Sequence, residues 1–342
     1  MSDEAIDRPS LEAWFATSVP GARPPLTFER ISGGRSNLTY AVRDAGDRRW
    51  ALRRPPLGKR LASAHDMARE HRIIAALQGT EVPVPPVTSL CADDSVNGAP
   101  FYVMEFVDGP VLRSRTEVEA SFDESERRAI GERVVDTLAA IHAVDPDQVG
   151  LGDLGRKGDY VARQLHRWHD QWEKSKTGEL PLVEDVHRRL SERIPEQGPA
   201  TIVHGDYRLD NMILSPAGQV AAVVDWELCT LGDPLADVGL LLVYWSEAGD
   251  ELMPLFEAPT TAPGFPSREE VGERYAGASG RDLSGIDFYV ALAYWKLAII
   301  LQGVYARYAA GQYGEASEGF EEFVGIVERL AAAADDAERR LG

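Results

Sequence analysis

The stretch TIVHGDYRLDNMILSP, residues 201 to 216, sets a histidine, two aspartates, an arginine and an asparagine between two apolar runs. Groups so costly to remove from water have a bland use, as a surface loop, and a sharper one, holding a hydroxyl beside a hard divalent cation. Asn211 follows Asp206 by five residues, and the next apolar run, QVAAVVDW, carries Asp225 near its end. A short strand, a polar loop, the strand NMILS, a PAG turn and a second strand form a hairpin that brings Asn211 near Asp225, with Asp206 projecting from the loop beside them. Two oxygen ligands suit magnesium, which takes few protein oxygens and completes its shell with water and phosphate. Asp206 is then the group left to accept a proton from a hydroxyl.

Such groups need elements to position them. Between Leu26 and Leu57 the segments LTFERI, LTYAVRD and RRWALRR read as a three-strand meander, with SGGRSN as the first turn and Pro55-Pro56 as the stop. SAHDMAREHRIIAALQG predicts a helix with Met67, Ile74 and Leu77 on one stripe and Gly79 at its end. Glu70 falls on that stripe, where a carboxylate requires a cationic partner or water. EVPVPPVTSL and APFYVMEFVDGP add two strands, giving residues 26 to 108 a mostly antiparallel sheet with one helix.

Beyond Gly109 the pattern turns helical. Asp123 with Glu126 three residues on is a capping box, opening a long helix that carries Ile130, Val134, Leu138 and Ile141. YVARQLHRWHDQWEKS, DFYVALAYWKLAIILQGVYARYAAG and EGFEEFVGIVERLAAAADDAERRL read as further helices, and the Pro-, Gly- and acid-rich region 250 to 285 reads as an insertion or long loop. The expectation is an α+β chain in two lobes, residues 1–108 and a larger, mainly helical 109–342.

The chain has 342 residues, 44% of them hydrophobic, enough for a large core and more than one lobe. Its net charge of -19 argues against nucleic acid or an anionic membrane as partner. Mutual repulsion that keeps the protein soluble explains that charge more simply than a cationic substrate does. Cys91 and Cys229 have no CxxC partner, so neither a disulfide framework nor a zinc site follows from them. MSDEAIDRPS lacks the pattern of a signal peptide, and VALAYWKLAIILQGV is interrupted by Lys296, which together predict a cytoplasmic protein with no membrane partner.

H-x-D-x-x-x-x-N followed by a strand-borne Asp resembles the catalytic and metal loops of the protein-kinase-like phosphotransferases. The resemblance is to the aminoglycoside phosphotransferase and choline kinase branch, where HGD stands in place of HRD, and it covers nearly the whole chain. It implies a protein-kinase-like fold, ATP and Mg2+ as cofactors, Asp206 as the catalytic residue and Asn211 and Asp225 as the metal ligands. In RRWALRR, strand alternation puts Ala51 and Arg53 on one face, like the Ala and Lys of the family's V-A-I-K strand. Arg53 thus stands where a phosphate-binding lysine is expected, with Glu70 as its helix partner and Arg54, on the other face, as second choice. An arginine there keeps the charge and gains a fork, but it is bulkier.

SGGRSNLTY resembles the phosphate-covering loop without its G-x-G-x-x-G, leaving Ser32, Gly33, Gly34 and Ser36 as phosphate contacts through backbone N–H groups and hydroxyls. FYVMEFVDG matches the lobe connector, whose main chain at Glu105 and Val107 would bond the adenine edge beside Met104. Trp226 and Glu227 stand where protein kinases have Phe-Gly, so the switch of those enzymes is not expected. LGDPLADVG resembles the segment in which Asp237 braces the catalytic loop through main-chain bonds, with Asp233 as scaffold. His204 reads as structural, Arg208 as a solvated side chain or, within the loop, one that approaches phosphate or substrate, and His142, His166 and His169 lack ligand spacing.

The implied reaction moves the γ-phosphoryl group of ATP to the hydroxyl of a small molecule. The wording DWELCTLGDPLADVGLLLVYW looks most like the domains of this family associated with acyl-CoA dehydrogenases, which implies a hydroxyacyl-CoA or another small hydroxylated metabolite. An aminoglycoside or choline-like amino-alcohol kinase, and a nucleotide-binding pseudokinase, are the alternatives. A metal-dependent phosphohydrolase built on His204 and Asp206 lacks a second His or Asp cluster. Segments 150 to 200 and 245 to 290 are expected to form the acceptor pocket, while oligomeric state and the choice of ATP over GTP are not legible.

Overall fold

The structure is a computed structural model that describes residues 5–31, 37–56, 66–250, 258–310 and 321–341. In chain order the elements are α1 (Arg8–Ser18), β1 (Thr27–Arg30), β2 (Leu38–Arg43), β3 (Arg49–Arg54), α2 (Met67–Leu77), β4 (Val87–Cys91), α3 (Asp94–Asn97) and β5 (Phe101–Glu105). Then follow α4 (Arg115–Ser121), α5 (Glu124–Ala143), α6 (Tyr160–Ser175), α7 (Pro181–Glu192), β6 (Thr201–Val203), β7 (Met212–Leu214), β8 (Val220–Val223) and β9 (Thr230–Gly232). The chain closes with α8 (Leu235–Tyr244), α9 (Arg268–Ser279), α10 (Ile286–Ala309) and α11 (Glu321–Arg339). This is the α+β, protein-kinase-like fold, with a small antiparallel sheet and a larger, mainly helical part.

Two compact units divide the chain. The first comprises Met1–Pro110 together with Met212–Pro216 and Val220–Cys229. Its sheet runs β1-β2-β3-β5-β4, antiparallel throughout. Register sets Ala41 opposite Ala51 and Ala51 opposite Met104, and likewise Thr39, Arg53 and Tyr102 in a row. Directly paired residues share a face, so these six line one side of the sheet. The opposite side presents Tyr40, Val42, Trp50, Leu52, Phe101 and Val103, buried in one apolar cluster with Leu11 and Phe15 of α1. Helix α1, which the sequence pattern did not suggest, is capped by Asp7 accepting from the Ser10 N–H at 3.3 Å.

Arg54 lies on the cluster side and is 2% exposed, donating to the main-chain carbonyls of Ala5, Pro55 and Asn97. Those bonds give the second-choice arginine a structural use, tying the N-terminal segment down. Strands β7 and β8 pair with Met212 opposite Val223. They count with the first unit because Leu214 donates to the Pro110 carbonyl at 3.0 Å and Val223 to that of Pro83 at 2.8 Å. Chain order alone, with a single boundary at 108, does not separate them from the residues after 109.

The second unit comprises Val111–Asn211, Ala217–Gln219 and Thr230–Gly342. Its core joins α6, α7, α8, α10 and α11 through residues such as Leu165, Val186, Leu240, Trp295 and Leu330. Gly239 lets α8 approach α10 closely, since a Cβ there would lie 2.5 Å from the Tyr289 carbonyl carbon. The region 250 to 285 is not simply a long loop. It contains α9, opened by a capping box between Ser267 and Glu270. Part of the acidity that suggested a loop, Glu269 and Glu270, is the charge that favours a helix N-terminus. Among the described residues α10 is the one helix long and apolar enough to cross a membrane, and 67% of its apolar window is buried within the structure.

Candidate functional site

In the first unit the site begins with β3, whose alternation turns Arg53 toward the face it shares with Ala51, Thr39, Met104 and Tyr102. Asp66 caps α2 by accepting the Arg69 N–H at 2.9 Å, and Glu70 in the first turn meets Arg53 Nε at 3.1 Å. The same guanidinium reaches Asp225 Oδ1 at 2.5 Å and lies 3.9 Å from Glu227 Oε2. A lysine offers one charged nitrogen; the divergent fork of arginine spans all three carboxylates. Burial alone would lower the Arg53 pKa, but Glu70, Tyr102, Asp225 and Glu227 outweigh it and push it up. Burial pushes the Glu70 carboxyl up, with Arg53 and a hydrogen bond from Tyr102 offsetting part of that rise.

Among the described residues the Arg53 guanidinium is shared by three carboxylates, and the Arg69 guanidinium beside them bonds the main-chain carbonyls of Glu227 and Cys229; carboxylate oxygens are hard donors of the kind a bound cation takes. The side chain of Glu70 is 2% exposed and that of Asp225 28%, so Asp225 is the more accessible oxygen donor. Asp225 sits in the left-handed region at φ 67°, ψ 58°, an uncommon conformation for a residue other than glycine. Trp226 anchors the turn that follows by donating from Nε1 to the Val223 carbonyl at 3.0 Å. Asn37 donates to Glu227 at 2.9 Å. On β5, Met104 is buried beside Ala51, and the Glu105 N–H is taken by the Pro86 carbonyl at 2.8 Å. Ser32, Gly33, Gly34 and Ser36 lie outside the described residues.

In the second unit, β6 pairs with β9 and leads directly into His204. Gly205, at φ 86°, turns the chain where a side chain would be strained. The main-chain N–H groups of His204 and Gly205 then converge on the two oxygens of Asp237, at 2.6 and 2.8 Å. Asp237 comes from the first turn of α8 and also faces His142 Nε2 at 3.3 Å. Burial would raise the Asp237 pKa, but His142, His204 and the Gly205 N–H hold it below the usual carboxylate value, so it remains an anion. Asp233, the other expected scaffold residue, accepts from the Tyr289 hydroxyl at 2.7 Å.

Asp206 donates its N–H to His204 Nδ1 at 3.3 Å, which gives that buried histidine a structural role. Asn211 Nδ2 closes the loop on the Asp206 carbonyl at 2.8 Å and on its Oδ2 at 3.0 Å. With Nδ2 so used, Asn211 keeps Oδ1, a hard oxygen of the kind magnesium takes. The Tyr244 hydroxyl approaches Asp206 Oδ1 at 3.3 Å. Arg208 is not a merely solvated side chain: its Nε lies 3.1 Å from Asp210 and 3.6 Å from Asp206, and the guanidinium covers the Tyr244 ring at 5.0 Å. Lys296 donates to the Gly205 carbonyl at 3.1 Å and lies over the Trp168 ring at 5.5 Å. Burial lowers its pKa, while Asp206 and Asp237 partly offset the shift.

Two pockets adjoin the loop within this unit. One joins Tyr160, Gln164 and Trp168 of α6 to Gly205 and Lys296. The other is lined by Arg113, Arg208, Asp210, Tyr244, Trp245 and Thr260. Sequence reasoning did not single out Tyr244 or Glu227 as site contacts. It met Lys296 only as an interruption of an apolar run; a lone lysine in a buried helix is also the signal of a specific acceptor.

The sequence profile described as "Phosphotransferase enzyme family" matches residues 27–289. Acyl-CoA dehydrogenase family member 10 of Mus musculus is 38% identical over 297 residues, covering 86% of this chain but 28% of that protein. Acyl-CoA dehydrogenase family member 11 of Gallus gallus is 33% identical over 348 residues, covering 98% of this chain and 44% of that protein, so the chain spans less than half the length of either relative. A crystal structure of a presumed aminoglycoside phosphotransferase of Ralstonia eutropha JMP134 superposes with a TM-score of 0.83 at 34% identity, covering 98% of both chains. A thermostable variant of aminoglycoside phosphotransferase APH(4)-Ia, solved with AMP-PNP and hygromycin B, shares the fold at 18% identity and a TM-score of 0.60, covering 95% of this chain and 98% of that one. With its kinase-like fold and the HGD loop held as described, the chain belongs to the phosphotransferase enzyme family that includes the aminoglycoside phosphotransferases.

Proposed function

We propose that this chain is an ATP- and Mg2+-dependent kinase that phosphorylates a hydroxyl of a small anionic metabolite, with a hydroxyacyl-CoA as the leading acceptor. The observation that carries the reading is Asp206, a carboxylate held by Asn211 and Tyr244 yet 25% exposed, hence oriented and reachable. Asp206 would align the acceptor hydroxyl and take its proton as the oxygen bonds to the γ-phosphorus and the bond to ADP breaks. Asn211 and Asp225 would hold magnesium, which when bound supplies neutralisation of the phosphoryl charge. Arg53, steadied by Glu70, would contact the nucleotide phosphates, joined by Ser32, Gly33, Gly34 and Ser36. Ala51, Met104 and the main chain of Glu105 and Val107 would receive the adenine. The AMP-PNP complex of a distant member of the fold supports a nucleoside triphosphate as donor.

Charge in the pocket beside Arg208 favours the acceptor class. Arg113 and Arg208 line it with Asp210 and the aromatic side chains of Tyr244 and Trp245; Arg208 already lies between Asp206 and Asp210, which leaves Arg113 as the cation that an anionic acceptor would meet. A polycationic aminoglycoside gains little there, whereas an acceptor with a carboxylate or phosphate does. The relationship to acyl-CoA dehydrogenase family proteins supports the same choice. The contact between Arg53 and Asp225 favours one second reading, a pseudokinase in which the arginine occupies a metal-binding carboxylate. Incubation with Mg-ATP and separate panels of hydroxyacyl-CoAs, aminoglycosides and amino alcohols tests these readings, with ADP release and acceptor mass both followed. Phosphorylated hydroxyacyl-CoA is the expected product. Turnover confined to aminoglycosides or amino alcohols overturns the acceptor class, and nucleotide binding with no turnover on any panel supports the pseudokinase.

A further inference from the structure

Away from the loop, α6 and α7 bring together three side chains that none of the roles above uses. His169 projects from α6, and Glu184 and His187 stand three residues apart on α7, on one helix face. Their ligand-capable atoms all lie within 4.8 Å of one another. His169 Nε2 is 2.8 Å from Glu184 Oε2, and the other carboxylate oxygen accepts from Trp172 Nε1 at 2.7 Å. The His169 and His187 rings stack at 4.1 Å and 11°, and His187 stacks in turn on Trp295 at 5.4 Å and 16°. All three side chains are half-buried. Sequence spacing could not reveal the group, because its two histidines belong to different helices.

We propose that His169, Glu184 and His187 form a zinc-binding site that ties α6 to α7. Two imidazoles and a carboxylate make a borderline nitrogen and oxygen donor set, which suits Zn2+ and leaves a position for water. Magnesium, which prefers oxygen ligands and octahedral geometry, is poorly matched to it. Trp172 already orients the carboxylate, as outer hydrogen bonds to metal ligands commonly do. Ligation would replace the His169–Glu184 contact with bonds to the ion and leave the Trp172 bond to the other carboxylate oxygen in place. The ion would fix the helix that also presents Tyr160, Gln164 and Trp168 to the pocket beside Gly205.

The test uses the untagged full chain, stripped with chelator and titrated with Zn2+ in excess Mg2+, so that carboxylate sites of the loop are saturated. Calorimetry and tryptophan fluorescence should report one saturable equivalent, and zinc should raise the melting temperature. His169→Asn and His187→Gln should each weaken binding at least about tenfold, and Trp172→Phe should weaken it by about tenfold at unchanged stoichiometry. Melting of the zinc-free variants at the wild-type temperature separates lost ligation from lost folding. Absence of saturable zinc binding, or affinity unchanged in both histidine variants, overturns the proposal.

Discussion

The two units hold their reactive groups by different physics. Around Arg53 one cation is shared among Glu70, Asp225 and Glu227, so charge is held by charge. Around Asp206 the loop is held chiefly by hydrogen bonds that end on main chain: Asp237 on the N–H groups of His204 and Gly205, Lys296 on the Gly205 carbonyl, and Asn211 on that of Asp206. An ionic cluster responds to added cations and phosphates. A loop braced through its main chain has its backbone fixed by groups that do not themselves meet a ligand's charge. The difference suits the roles proposed for them, nucleotide and metal binding for the first and alignment of the acceptor for the second.

The sharpest way to break this contrast is to remove the shared cation. Arg53→Met leaves Glu70 buried without a counter-charge and should cost about 3–5 kcal/mol of stability, measured by denaturant unfolding. Arg53→Lys should recover most of that loss, because it restores the charge without the fork. A stability equal to wild type in Arg53→Met would mean that the cluster is not held by its guanidinium.

Asp237→Asn probes the braced side. It replaces a charged acceptor of two main-chain N–H groups and should cost about 1–3 kcal/mol, read from the same unfolding curves. Lys296→Met should leave the fold intact and lower turnover by about tenfold, or about 1.4 kcal/mol of barrier, since only one bond to the loop is lost. Turnover and nucleotide affinity measured together check this: a fall in affinity with turnover unchanged would contradict a role in bracing the loop.

The smallest effect concerns pH. A hydrogen bond from Arg128, then one from the Ser267 N–H, lowers the Glu270 pKa from 4.5 to about 2. A lowered folded-state value means that the unfolded chain binds more protons, so stability rises with pH across that interval. Glu270→Gln should therefore melt slightly below wild type at neutral pH, and the gap should close as pH falls from about 4.5 toward about 2. A gap that does not depend on pH would assign the effect to the α9 cap alone.

Local patterns made much of this legible. The sheet, α2, α5 and the buried Glu70 follow from alternation, helical stripes and caps; the cost of hiding a lone carboxylate calls for a cation or water at Glu70, and the family resemblance names Arg53 as that partner. The Asp237 brace was legible through the family resemblance. What stayed hidden depends on distant contacts. Helix α1 shows no strong stripe, and α9 was masked by the acidic residues that open it. Lys296, Tyr244 and Glu227 acquire their roles only when remote segments meet, as do His169 and His187. Even Arg54, adjacent to Arg53 and chemically identical, is separated from it only by which face of β3 it occupies.

The central claim is that Asp206 performs the proton transfer while the charge cluster of the first unit serves the nucleotide. The direct measurement is acceptor-dependent ADP release by Asp206→Asn beside Mg-ATP affinity from equilibrium titration, both compared with wild type. Turnover lower by about 10²–10⁴-fold with nucleotide affinity unchanged is the result this account requires. Turnover within a few-fold of wild type would contradict it.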